Sequence, residues 1–547
     1  MGNSGKSFEL THGIGRYVRS NFNTITITCV LIAVAFVLLQ EAEKGTLLWD
    51  ESVHALDAYN FYRILPTLTS DPLGSLVRFA EFSPYYPPMF GIATGLAYAF
   101  FGVTPFVARA TSIFFGLVTL LFSYLLASEI SDRRMAVSGV ILLASTPIFL
   151  FVSTLAFHIT IGLAFSVSGL YFYLRALQKG NLRTYALAGA LETFSILSNY
   201  ILLPIYLMTI VHYLVFHKRR VSQIAALGLP FLLAVPWTYY TLIVLSQLRA
   251  WTFSLSATVD AYKRLVWSDP AAWYWYPAQL PRQIGILQSL AVVPALAYSI
   301  MRLTRQRLFL LSWLCSVYLA FVLIPNKDWR YTSSYVPALT IIVADALWSA
   351  SRYLSSITSG IKIKRQFIRP TFFAMVILIL VAASVTSQSI SQAHEVNIAI
   401  EPAARYIAQR LGHNESVVVL LASNCSSPPL LAFELARFGK SNDVWMYPDL
   451  PVDVGAAISI NTTRLFSRVT ETGTRFGLLW IGAQSPLVVN LVERLAGDPR
   501  IVSTVTFGDG LSQVLIYEFA VLKSSRAIDP CFPQIVWIRI RADASLC

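Results

Sequence analysis

Twelve apolar runs dominate the first 390 residues of this 547-residue chain, at 22–40, 88–104, 106–128, 135–153, 159–177, 184–200, 201–216, 222–244, 285–301, 308–324, 332–350 and 371–387. Crossing a bilayer as a helix takes about 20 apolar residues, and inside the hydrocarbon every backbone N–H and C=O must find a partner within the protein. Runs of this length and number define a polytopic α-helical membrane protein. Only 13% of the residues are charged, against about 25% in soluble domains. The net charge of +13 does not indicate nucleic-acid binding. Lys and Arg gather in short loops between apolar runs, which is an orientation bias of membrane proteins.

Those loops set a topology. They are DRR at 132–134, RALQKGNLR at 175–183, HKRR at 217–220, RLTRQR at 302–307 and KIKRQFIR at 362–369. Lys6, Arg16 and Arg19 place the N-terminus in the cytoplasm. The opening MGNSGKS lacks full P-loop spacing, so residues 1–21 read as a cytoplasmic tail before an uncleaved first span. If all twelve runs crossed, the DRR loop and the next three basic loops would fall outside. Demoting the run at 88–104, which opens on Pro87-Pro88 and carries Gly91, Gly95 and Gly102, returns them to the cytoplasm. The expectation is about eleven spans in a plasma (inner) membrane, with the C-terminus outside.

Residues 388–547 differ in composition. AARYIAQRL and LVVNLVERLAG read as helices, VVVLLA and FGLLWIG as strands, giving a small extracytoplasmic α/β domain beyond a membrane domain at 22–387. Sequons at Asn414, Asn424 and Asn461 suit an outside location. Cys29 and Cys315 lie in apolar runs. Cys425, Cys531 and Cys547 show no metal-ligand spacing, and one disulfide among them is compatible with their placement.

Four outer features carry chemistry. Asp50 and Glu51 follow the first span, with Asp57 two turns later. They read either as helix-capping groups or as carboxylates suited to activating a hydroxyl. In EFSPYYPPMFG, the prolines after Tyr86 stiffen the entry to the next helix. Arg109, about one turn into a span, either snorkels to headgroups or binds an anion. His158 sits at a span boundary, where a structural role is the commoner one, and the aromatic stretch 267–283 suits interface anchoring or sugar stacking. PNKDWRY, 325–331, puts Lys327 and Arg330 outside, against the orientation bias. Three residues apart, they would share one face of a helical turn and hold a lipid-linked phosphate, unless they only anchor to headgroups.

In this order and on this side of the membrane, the motifs resemble the GT-C fold glycosyltransferases. The nearest branch includes the protein O-mannosyltransferases and the bacterial aminoarabinose transferase acting on lipid A. The resemblance covers residues 20–390. It implies transfer of a sugar from a polyprenyl- or dolichyl-phosphate donor to a glycan, lipid or protein acceptor. Asp50 would be the base with Glu51 in support. Lys327, Arg330, Arg109 and Tyr331 would bind the donor phosphate, and Tyr86, His158 and Asp57 would line the acceptor site. Family members often have His or Lys where this chain has Tyr86, and an acidic residue where it has His158. No metal site is therefore expected, although a divalent ion is compatible with the family. The competing reading is a transporter or flippase of lipid-linked sugars, and a diphosphate-oligosaccharide ligase is a third. Transporters usually place charges in mid-span and carry inverted repeats. Here charges cluster at the outer face.

Overall fold

Each of the first eleven apolar runs is helical in the computed structural model. It describes residues 4–44, 46–217, 220–245, 265–357, 374–381, 399–413, 415–421, 427–440, 442–447, 462–480, 486–508 and 513–520. The 362–369 basic loop, most of the twelfth run, the three sequons and Cys425, Cys531 and Cys547 lie outside the described residues. Among the described residues six helices are long and apolar enough to cross a membrane: Asn23–Ala42, Pro105–Ile130, His158–Lys179, Val221–Val244, Arg305–Leu323 and Tyr331–Tyr353. Arg133–Ala144 and Pro147–Thr154 add a seventh if they form one span bent by 65°. Met89–Phe101, Tyr200–Phe216 and Ile286–Met301 are shorter apolar helices. Large apolar side chains on the first span, such as Ile32 and Phe36, point outward because lipid is their solvent.

The helices that matter for the site are α1 (Ser4–Ala42), α2 (Trp49–Ile64), α3 (Pro72–Phe82), α4 (Met89–Phe101) and α5 (Pro105–Ile130). At 13 residues α4 is about 20 Å long, short of a roughly 30 Å hydrocarbon core. It begins after Pro88 and stops at Gly102, whose φ of 84° favours glycine. It packs closely along α2. A Cβ on Gly95 would come within 2.7 Å of the Ala58 carbonyl, so a larger residue would prise the two helices apart. The run demoted on charge grounds thus forms, with α2 and α3, a platform of short helices at one end of the bundle.

The C-terminal region forms a five-stranded mixed sheet of order β2-β1-β3-β5-β4, built from Val444–Tyr447, Ser416–Leu420, Thr474–Trp480, Val514–Phe519 and Ile501–Phe507. β1 pairs in parallel with β2 and β3, whereas β5 is antiparallel to β3 and β4. β1 lies in the interior of the sheet, and its VVV run is buried on both faces. The helices Thr462–Thr472 and Pro486–Leu495 pack with one face of the sheet. Ile400–Arg410 and Pro428–Arg437 cover the other, and their Ala403, Leu430 and Phe433 share a core with Leu47, Ala55, Tyr98 and Val107 of the platform region. The domain thus docks on α2 and α4 through apolar contacts rather than hanging from a tether.

Candidate active site

Adjacent residues on α2 have opposite fates. Glu51 turns inward and is fully buried; its carboxylate accepts from the Leu48 N–H (2.9 Å) and the Ala156 N–H (3.0 Å). Arg109, near the start of α5, meets it with two parallel bonds, Nε to Oε1 at 2.8 Å and Nη2 to Oε2 at 3.0 Å. The same guanidinium donates to the carbonyls of Ala42, Lys44 and Thr46. Arg109 is completely buried, so it neither snorkels nor reaches a donor phosphate. It ties the end of α1, the following turn and the start of α2 into one unit. Breaking a buried pair from one side leaves the other charge uncompensated, at a cost of about 3–5 kcal/mol. Arg109→Ala should therefore markedly lower the melting temperature of the detergent-purified protein. An unchanged melt would show that the pair does not hold this end of the bundle together.

Lys327 also departs from the sequence expectation. Residues 325–330 are not helical, and the 3-10 turn begins at Tyr331, so Lys327 and Arg330 do not share a helix face. The Lys327 ammonium turns back to the end of the helix Arg305–Leu323, donating to the carbonyls of Phe321 (2.8 Å), Val322 (2.8 Å) and Ile324 (2.5 Å). All three of its N–H groups are used, the Tyr276 ring lies 5.7 Å away, and burial pushes its pKa down to about 8. Lys327 is a C-terminal helix cap rather than a phosphate ligand.

Arg330 bridges two carboxylates and stays partly exposed. Asp328 grips it from within the same turn, with Nη2 to Oδ2 at 2.7 Å and Nε within 3.1 Å of both oxygens. From the other side Nη1 donates to Asp50 Oδ2 at 2.7 Å, joining residues 280 apart in sequence. Asp50 is 42% exposed and Arg330 28%, so this pair, unlike Glu51–Arg109, can meet a substrate. The helix Pro270–Ile284, from the aromatic stretch, holds the segment in place. Its Gln283 donates to the Trp329 carbonyl (2.6 Å) and Thr332 Oγ1 (2.7 Å), and Arg282 lies 4.4 Å over the Trp329 ring. The Tyr331 hydroxyl accepts from Asn326 (3.2 Å), and its ring packs on Phe321.

Asp50, His54 and Asp57 recur at spacings of four and three, which places them along one face of α2. His54 is buried, and its Nε2 lies 2.7 Å from Nδ1 of His158. The Tyr86 ring sits 4.4 Å from His54 and 4.9 Å from His158, so the three rings form a wall beside the Asp50–Arg330 pair. Burial, with the Arg330 charge adding to it, pushes the His54 imidazole down to about 3 and keeps it neutral. Burial also raises the Tyr86 phenol well above its usual range, and the Asp50 charge adds to the effect. Burial pushes the Asp57 carboxyl up to about 7, against a Ser83 hydrogen bond that pulls it down. His54 was not singled out from the sequence, although its position one turn after Asp50 would have found it. Among the described residues no three His, Cys, Asp or Glu side chains are grouped as metal ligands.

Comparison with known proteins places this geometry. The family model for dolichyl-phosphate-mannose-protein mannosyltransferase matches residues 86–251, a stretch that holds Tyr86, Arg109 and His158 but not Asp50 or Arg330. ArnT from Cupriavidus metallidurans in the apo state aligns over 90% of this chain and 97% of its own, at 15% identity and a TM-score of 0.61. The same protein bound to undecaprenyl phosphate aligns over 91% and 98%, at 16% identity and a TM-score of 0.60. The archaeal oligosaccharyltransferase AglB from Archaeoglobus fulgidus, in complex with an inhibitory peptide and a dolichol-phosphate, aligns over 94% and 76%, at 12% identity and a TM-score of 0.51. No curated protein sequence matches the chain. The protein has the GT-C fold of polyprenyl-phosphate-sugar glycosyltransferases, the class that the sequence motifs resemble.

Proposed function

We propose that this protein transfers a monosaccharide from a polyprenyl- or dolichyl-phosphate carrier to an acceptor hydroxyl, with inversion, at the outer face of an eleven-span membrane domain. The observation that carries the reading is the half-buried but solvent-reachable Asp50–Arg330 pair. Asp50 Oδ2 is held by Arg330, whereas Oδ1 has no hydrogen-bond partner among the described residues and can accept from the substrate hydroxyl. As the acceptor oxygen bonds to the anomeric carbon, its proton passes to Asp50. The carbon–oxygen bond to the carrier breaks, and its electron pair stays on the phosphate. A guanidinium has five N–H groups. Asp328 and Asp50 engage three of them, leaving two for the departing phosphate, where charge develops. The uncharged His54–His158–Tyr86 wall suits a neutral acceptor. Phosphate-linked carriers in the structures of ArnT and AglB support the donor class.

Purified protein should be heat-stabilised by at least one member of a panel of polyprenyl-phosphate sugars and should release the free lipid phosphate. A panel that neither stabilises nor is consumed would overturn the reading in favour of a transporter. The Asp57 carboxyl supplies a second check. Its folded pKa is raised above the unfolded value of 3.8, so its contribution to stability is full at acid pH. That contribution is lost as pH rises through about 7. Melting temperatures should therefore fall over this interval in the wild type relative to Asp57→Asn. Parallel curves would remove the buried acid.

A further inference from the structure

A groove of about 880 Å³ runs between the helices Ile286–Met301 and Val336–Ile357. It is far from the site just described. Arg330 precedes the second of these helices, whereas the groove meets that helix at Ala346 and Ala350, more than two turns further along. Two features set the groove apart. Its walls carry small residues from both helices, Ala291 and Ala295 on one and Ala346 and Ala350 on the other, where larger side chains would narrow the gap. Its mouth is cationic. Arg307 is fixed there by Asp345 at 2.8 Å, by the Arg302 carbonyl at 2.6 Å and by the Tyr298 ring beneath it at 4.5 Å. Arg302 is exposed and has no carboxylate within ion-pair distance among the described residues. Met301 and Leu303 in its lining are exposed and apolar, as suits a slot open to lipid.

We propose that this groove binds one anionic phospholipid, with its phosphate at Arg302 and Arg307 and an acyl chain in the alanine-lined slot. Charge complementarity selects this occupant. Arg302 and Arg307 carry two positive charges against the single Asp345. A guanidinium on a phosphate makes charge-assisted, geometrically matched hydrogen bonds that a zwitterionic headgroup partly cancels. The inference is independent of the proposed glycosyl transfer, because none of these residues belongs to that site.

Native mass spectrometry of the delipidated full chain tests it, using phosphatidylglycerol and phosphatidylcholine with matched chains. The wild type should retain one more phosphatidylglycerol than phosphatidylcholine. Arg302→Gln should weaken that bound lipid about tenfold, as loss of a charge-assisted bond implies. Ala346→Phe, which fills the slot, should remove it. Because Arg302 is exposed, its variant still reads the site if Ala346→Phe fails to fold. Equal retention of the two lipids, or no change in Arg302→Gln, would overturn the proposal. Displacement of the lipid by inorganic phosphate would overturn the acyl-chain component in favour of a free-anion site. An altered oligomeric state in Ala346→Phe with unchanged lipid binding would reassign the slot to contact between copies.

Discussion

Asp50→Asn should abolish turnover while leaving folding and donor binding largely intact. Asparagine keeps the size of the side chain and can still place an oxygen toward Arg330 Nη1. It cannot take the proton that the acceptor hydroxyl must lose. Removal of a positioned general base typically costs about 10²–10⁴-fold in rate. The loss should fall on kcat, with the donor concentration at half-saturation little changed, because in the proposed reaction Asp50 serves the acceptor and Arg330 the donor. Product formation followed by mass spectrometry, with thermal stabilisation by donor as the binding control, separates the two parameters. Turnover within about tenfold of wild type, below the usual cost of losing such a base, would remove Asp50 from this role.

Arg330→Gln should be at least as damaging, for a different reason. Arg330 is bonded to two carboxylates at once, Asp50 and Asp328. Its loss removes the N–H groups offered to the phosphate, sets the carboxylates in mutual repulsion and frees Asp50 to rotate. Deleting one preorganised donor to a developing oxyanion costs about 10²–10³-fold. Here the loss should appear in kcat and in donor affinity together. Arg330→Lys should rescue little, since an ammonium is a single point of charge and cannot grip Asp328 with two nitrogens while reaching Asp50. Substantial rescue by lysine would mean that only charge matters and that the forked geometry does not. Together with a Lys327→Ala that lowers stability but leaves donor affinity unchanged, an inactive Arg330→Gln would assign the cationic role in PNKDWRY to Arg330 alone.

Much of the architecture was legible in the sequence because hydrophobic length and periodicity are local properties. The first eleven apolar runs appear as helices, and the four elements read in the C-terminal region lie at Ile400–Arg410, Ser416–Leu420, Thr474–Trp480 and Pro486–Leu495. The strands Val444–Tyr447 and Val514–Phe519 were not read. Their six or fewer residues, largely buried, carry no alternation to separate them from short helical stretches. The aromatic stretch at 267–283, read from its aromatic density as interface anchoring or sugar stacking, forms a helix over Pro270–Ile284 that buries Tyr276 and Gln283.

Site residue types were legible; their partners were not. Sequence alone marked Asp50, Glu51, Arg109, Lys327 and Arg330 as charges too costly to sit at a membrane boundary without use. It could not say which of them would be spent on the fold. Direction decided that. On α2, adjacent side chains point about 100° apart, so Glu51 meets Arg109 inside the protein while Asp50 meets the cleft. In PNKDWRY, a non-helical turn sends Lys327 back to cap a helix and Arg330 forward across 280 residues of chain. A charge's neighbours in sequence set its cost, but only the packing of distant elements sets whether that charge is satisfied internally or left open to a substrate.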